Sequence, residues 1–137
     1  MQLRRLTNEL AVTGQINPHD LPGLAGQGIR AIICNRPDGE APDQPTYAEM
    51  EKAAAANGIK IVYQPVVPTA ISDTDAETFG KLLDELPKPV LVYCRSGMRS
   101  TALWALSQAG RLPVEDIMEA AAMAGYDLRP LMPRLAR

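Results

Sequence analysis

The chain has 137 residues, 46% hydrophobic and 22% charged, with a formal net charge of −2 at pH 7. That length suits one domain over residues 1–137 with one proper core. The near-neutral balance gives no electrostatic case for nucleic acid or an anionic membrane surface, so any anion site must be local. No apolar run nears the roughly 18 residues of a membrane span. The start, MQLRRLTNELAVTG, has arginines but no apolar core or small-residue cleavage site after them, so it is not a secretory signal. The chain therefore reads as cytoplasmic, with its two cysteines, Cys34 and Cys94, as free thiols.

In chain order, ELAVTGQI (9–16) predicts a first short strand, and Asn17-Pro18 opens a helix with Asp20 at the capping-box position. That helix stops at Gly28, and IRAIICN (29–35) is a buried strand by its β-branched run. RPDGEAPDQP (36–45) is a loop; Thr46 and Glu49 then cap a helix that ends before Gly58. IKIVYQPVV (59–67) is the next strand, and Ser72 with Asp75 caps the helix broken at Pro87. VLVYC (90–94) completes the strands. A helix from about Ser100 to Ala109 and another from about Pro113 to Ala124 come after it, each stopping at a glycine, before an irregular or short helical tail. Strands alternating with helices imply an α/β domain with a mainly parallel sheet flanked by helices. In such sheets ligands bind beyond the carboxyl ends of the strands, the edge that receives Cys34-Asn35-Arg36, Gln64-Pro65 and Cys94-Arg95.

The chemistry concentrates in C-R-S-G-M-R-S, residues 94–100, between a strand and a helix. A loop there aims backbone N–H groups at one point, and the helix adds its partial positive end. A cysteine in that field is expected to ionise at a pKa of roughly 3.5–7.5. Cys94 is thus the candidate nucleophile. Gly97 permits the tight turn, and Arg99 can fork two N–H groups onto an oxyanion. Arg95 widens the positive field, while Ser96 and Met98 complete the loop as substrate-binding candidates. Ser100 can donate to the thiolate or cap the helix, and Arg36 sits at the same edge, where a salt bridge to Asp38 or Glu40 competes with anion binding. One histidine, His19, and two separated cysteines build no metal cluster, and nothing calls for a cofactor.

YCRSGMRS resembles the active-site loop of rhodanese-type sulfurtransferases and is also similar to the phosphate loop of cysteine-dependent phosphatases. The latter places five residues between Cys and Arg, where this chain has the four from Arg95 to Met98, and Tyr93 stands where those phosphatases usually have His. VTGQINPHDLPGLAGQGIRAIICNRPDGE resembles the start of dual-specificity-phosphatase-like domains. Over nearly its whole length the chain resembles the DUF442 family, the phosphatase-like domain found alone or at the N-terminus of beta-lactamase-hydrolase-like proteins beside a metallo-hydrolase domain. That resemblance implies a dual-specificity-phosphatase-like fold. It also implies a link to sulfide and persulfide handling, with a persulfide-processing metallo-hydrolase-like enzyme as partner.

Two chemistries fit the loop. In the first, Cys94 attacks the outer sulfur of thiosulfate and sulfite leaves while Arg99 and Arg95 stabilise the sulfonate charge, or it takes that of a persulfide with release of the thiol. The Cys94 persulfide then passes its outer sulfur to a thiol or cyanide. The short loop, read as a narrow bowl with few amides, and the lack of a carboxylate that stands out as a matched acid make this sulfurtransferase reading the leading expectation. In the second, Cys94 attacks a phosphate ester and a general acid protonates the leaving group. Its acid candidates are Asp38, Asp73 and Asp75, each with a competing structural role as turn former, first-turn residue or capping residue. A third reading makes the domain a sulfur carrier for a partner enzyme.

Overall fold

The apolar runs become neighbours in one five-stranded sheet. In the computed structural model, which describes residues 3–136, the spatial order is β1 (Arg4–Thr7), β2 (Leu10–Thr13), β5 (Val90–Tyr93), β3 (Ala31–Cys34) and β4 (Lys60–Tyr63). β1 is antiparallel to β2, and every other neighbouring pair is parallel. Strands β2, β3 and β5 are buried at all their positions, as a parallel sheet covered on both faces requires. β1 has no counterpart in the sequence reading. Only its Leu6 is buried, so it carries little apolar signal.

The helices follow their caps. Thr46 Oγ accepts the Glu49 N–H at 3.2 Å at the start of α2 (Tyr47–Ala56), and Ser72 Oγ accepts the Asp75 N–H at 3.0 Å at the start of α3 (Asp73–Glu85). The first predicted helix splits into a 3-10 turn, Pro18–Asp20, and a short α1 (Leu21–Gly26). α4 (Met98–Gln108) starts two residues earlier than its sequence pattern suggests. α5 (Val114–Met123) leads into a tail with a 3-10 turn, Arg129–Leu131, and α6 (Met132–Leu135).

Period-two alternation sends successive strand residues to opposite faces. Val12, Ile33 and Val92 point into a core with Phe79 of α3, Leu103 and Trp104 of α4 and Ile117 of α5. Ala11, Ile32, Leu91, Cys34 and Tyr93 pack on the other face with Leu24 of α1 and Met50 of α2. Cys34 lies opposite Tyr93 in the parallel register, so the next residue, Cys94, belongs to the α3–α4 face. β3 and β5 are therefore adjacent, yet their two cysteines are free thiols on opposite sides of the sheet. No helix among the described residues is long and apolar enough to cross a membrane.

Candidate active site

Cys94 follows the last residue of β5, and Arg95, Ser96 and Gly97 make the whole connection to α4. Gly97 has φ = 91°, the left-handed region that side chains disfavour. A Cβ there would collide with the Tyr126 hydroxyl and lie 3.4 Å from the Thr13 carbonyl carbon. The turn aims the Gly97 N–H at Cys94 Sγ, 3.1 Å away, at the positive end of an 11-residue helix. The loop carbonyls are tied outward. Arg95 C=O accepts the Gln15 N–H (3.3 Å), Ser96 C=O accepts the Tyr126 hydroxyl (3.1 Å), and Gly97 C=O accepts Thr101 N–H (3.0 Å) and Oγ–H (2.8 Å).

Cys94 is almost fully buried, at the floor of a cleft of about 540 Å³. Arg95, Ser96, Met98 and Arg99 line one side; Pro68, Thr69 and Ile71 another; Pro130, Leu131 and Arg134 of the tail a third. A larger, shallower depression of about 610 Å³ around Met118 and Asp127 contains no nucleophile.

Arg99 is 8% exposed, and its fork faces Glu40 instead of the cleft. Nη1 meets Oε2 at 3.0 Å and Nη2 meets Oε1 at 3.2 Å, while Nη1 also donates to the Val66 carbonyl at 3.1 Å. Nε is buried without a hydrogen-bond partner among the described residues. A guanidinium has five N–H donors. With three committed to Glu40 and Val66, the Nε–H and one Nη2–H remain for an anion. Arg36 joins the same carboxylate, Nε to Oε1 at 3.0 Å, and donates to Gln15 Oε1 at 3.0 Å. Of the two partners open to Arg36 in the sequence, the structure selects Glu40. Burial would raise the Glu40 carboxyl, but the hydrogen bonds and charges of Arg99 and Arg36 hold it below the usual carboxylate range.

The predicted residues separate into two groups. The structure brings Cys94, Arg95, Ser96, Gly97, Met98 and Arg99 together. Ser96 Oγ accepts the Met98 N–H at 3.3 Å, and Met98 stands at the rim. Ser100 turns away from the thiol and donates to Asn35 Oδ1 at 2.9 Å, while Asn35 Nδ2 donates to the Gln64 carbonyl at 2.9 Å. This chain of bonds ties the first turn of α4 to the ends of β3 and β4. Arg36 stands behind Arg99 and does not line the cleft. None of the acid candidates lines the cleft itself. Asp38 accepts the Tyr47 N–H at 2.8 Å at the start of α2. Asp73 pairs with Arg134 at 3.0 Å, and Asp75 completes its capping box.

Sequence reasoning missed Tyr126 and Arg134, and it did not link Glu40 to Arg99. Only Tyr126 left a readable trace, an aromatic directly after the helix-stopping Gly125. Burial raises the Tyr126 phenol, with Arg4 pulling the other way. Burial likewise pushes the Cys34 thiol up.

A mainly parallel sheet with a cysteine at the carboxyl end of a central strand and an arginine in the next helical turn defines a cysteine-phosphatase-like α/β domain. The chain belongs to the family described as beta-lactamase hydrolase-like protein, phosphatase-like domain, which matches residues 2–111. A beta-lactamase hydrolase-like protein of Agrobacterium fabrum is 35% identical over 130 residues, covering 93% of this chain but 30% of its own length. This chain thus spans about a third of the length of the curated relatives it matches. A crystal structure from Neisseria meningitidis, provisionally named a phosphatase, is 36% identical with a TM-score of 0.89 and covers 99% of this chain and 97% of its own. A DUF442 protein of Shewanella putrefaciens, also provisionally a phosphatase, is 25% identical with a TM-score of 0.75, covering 98% and 90%. A kinase-associated phosphatase bearing a serine in place of its catalytic cysteine shares the fold alone, at 15% identity and a TM-score of 0.69, covering 93% and 83%.

These findings overturn the sulfurtransferase expectation. The family and the similar structures are phosphatase-like, and none points to sulfur transfer or a persulfide. The error lay in taking loop length as the width of the bowl. Walls from residues 68–71 and 130–134 make the cleft far larger than the loop alone implies.

Proposed function

We propose that this domain hydrolyses phosphate monoesters, with Cys94 as the nucleophile. The observation that carries this reading is a buried cysteine held by a loop amide at a helix N-terminus, in one cleft with a guanidinium whose Nε–H and one Nη2–H are uncommitted. Cys94 attacks phosphorus in line, and the leaving oxygen departs toward the cleft mouth. Loop amides and the remaining edge of Arg99 take up the charge on the equatorial oxygens. Water then releases phosphate from the phosphocysteine. Substrate enters as a small anion, and Arg95 favours it at the mouth, where Arg134 is already paired with Asp73.

No carboxyl or imidazole is among the described residues lining the cleft. A leaving group that must be protonated has no donor there, so the reading favours esters whose leaving oxygen is stable as an anion, such as aryl phosphates. The test is phosphate release from aryl phosphates of graded leaving-group pKa, with Cys94→Ser as control. The expected result is a steep fall in kcat/KM as leaving-group pKa rises and no release by the serine variant. Release that survives Cys94→Ser sinks the nucleophile assignment, and a flat leaving-group dependence restores an unseen acid.

A further inference from the structure

The peptide joining Ser96 to Gly97 is held from both ends. Its N–H donates to Cys94 Sγ at 3.1 Å, and its C=O accepts the Tyr126 hydroxyl at 3.1 Å. The N–H and C=O of a trans peptide point in opposite directions, so fixing one fixes the other. Of the three outward-tied loop carbonyls, those of Arg95 and Gly97 are held from β2's exit and from the loop's own helix. Ser96 alone depends on a side chain 30 positions away.

Tyr126 is delivered there by a complete helix stop. Gly125 has φ = 96°, its N–H meets Ala122 C=O at 2.9 Å, and the Tyr126 N–H meets Ala121 C=O at 2.9 Å. That is the paired 5→2 and 6→1 bonding of a Schellman motif, which fixes the direction of the residue after the glycine. Gly97 in turn lacks the Cβ that would collide with the hydroxyl. Tyr126 lies outside the 2–111 region that the family matches.

We propose that Tyr126 is a positioning residue: its hydroxyl locks the Ser96–Gly97 peptide so that the Gly97 N–H stays on the Cys94 sulfur. The lock acts on the thiol whatever the substrate; only its effect on turnover rests on the phosphatase reading. Around Cys94 the charged and titratable groups are Arg95 of its own loop and Arg99 of α4, with Glu40 and Arg36 behind Arg99. Among the described residues, Arg134 of α6 with its partner Asp73, Cys34 of β3, and Tyr126 itself with Arg4 beside it also face this region. Tyr126→Phe changes one hydroxyl and leaves the rest of this set in place.

The test is the pH profile of Cys94 alkylation by iodoacetamide, located by peptide mass mapping, in wild type and Tyr126→Phe. Loss of the held N–H raises the alkylation midpoint by about one pH unit and lowers aryl phosphate turnover at neutral pH about tenfold. An unchanged midpoint in a folded Tyr126→Phe protein overturns the proposal, even if turnover falls. A shifted midpoint in a protein that hydrolyses no phosphate ester upholds the lock while the phosphatase reading fails. A second measurement needs no tyrosine variant. The Gly97 amide proton in wild type should titrate with Cys94 and lose that response in Cys94→Ser; an amide indifferent to Cys94 also overturns the lock.

Discussion

Two neighbouring strands bring a cysteine to the same sheet edge, and only one of those cysteines lines a cleft. Cys34 closes β3, points into the α1–α2 core, packs against Tyr93 and donates to the Arg36 carbonyl at 3.4 Å. Cys94 follows β5 on the other face, where a three-residue turn through left-handed Gly97 starts a helix against the sulfur. Their immediate neighbours are similar in kind, Asn35-Arg36 beside Arg95-Ser96. The difference lies in the face of the sheet and in whether the chain turns at once into a helix. A strand-end cysteine becomes a candidate nucleophile through the turn after it and the face it occupies, not through its position at the edge.

The largest break in that comparison is a double control. Cys94→Ser is expected to reduce aryl phosphate hydrolysis to background, while Cys34→Ser keeps activity within a few-fold of wild type. Equal losses in continuous phosphate-release assays would mean that both thiols serve the site. Next, Arg99→Lys removes the planar fork that meets Glu40 with one edge and an anion with another. Its kcat is expected to fall by about 10²–10³-fold, the scale of losing one oxyanion donor. An Arg99→Lys enzyme near wild-type rate would show that the loop amides suffice.

Gly97→Ala tests the turn itself. A side chain in the left-handed region costs about 1–2 kcal/mol, which lowers the melting midpoint by about 3–8 °C in a chain of this size. Because the new methyl also meets the Tyr126 hydroxyl, turnover should suffer more than stability. Calorimetry beside kinetics separates the two.

Glu40→Gln comes next, with kcat/KM expected to drop about tenfold as Arg99 loses its charged anchor. Its pH signature is fixed in sign. The carboxyl is depressed in the folded protein, so its stabilisation is present above the unfolded value of about 4.3 and lost as pH falls through the lower folded value. The gap in melting midpoint between wild type and Glu40→Gln should therefore be full near neutrality and close in acid. A gap that persists at low pH would assign the effect to packing.

The smallest effect concerns Cys34 alone. Both thiols are almost fully buried, but only Cys94 lines a cleft, so the raised Cys34 thiol should react with iodoacetamide only on unfolding, well after Cys94.

The parallel core was legible because β2, β3 and β5 are buried on both faces and read as uninterrupted apolar runs. Capping pairs such as Thr46–Glu49 and Ser72–Asp75 were legible because their partners are three residues apart. β1 was not, since RRLT buries one residue and is specified by its pairing with β2. In the site, C-R-S-G-M-R-S announced itself locally. The Arg99–Glu40 pair spans 59 positions and the Tyr126–Ser96 bond spans 30, separations that no local pattern encodes. Judging the loop by its length, together with the lack of a matched acid, led to the wrong chemistry, because the cleft walls arrive from distant parts of the chain.

The placement of the two thiols on opposite faces has a redox consequence. A peroxide that reaches Cys94 produces a sulfenic acid, which is rescued when a second thiol condenses with it. Within this chain the other sulfur lies behind the sheet, in the α1–α2 core. Cys34 is therefore not placed to condense with an oxidised Cys94, and a rescuing thiol is expected to come through the cleft that Arg95 lines.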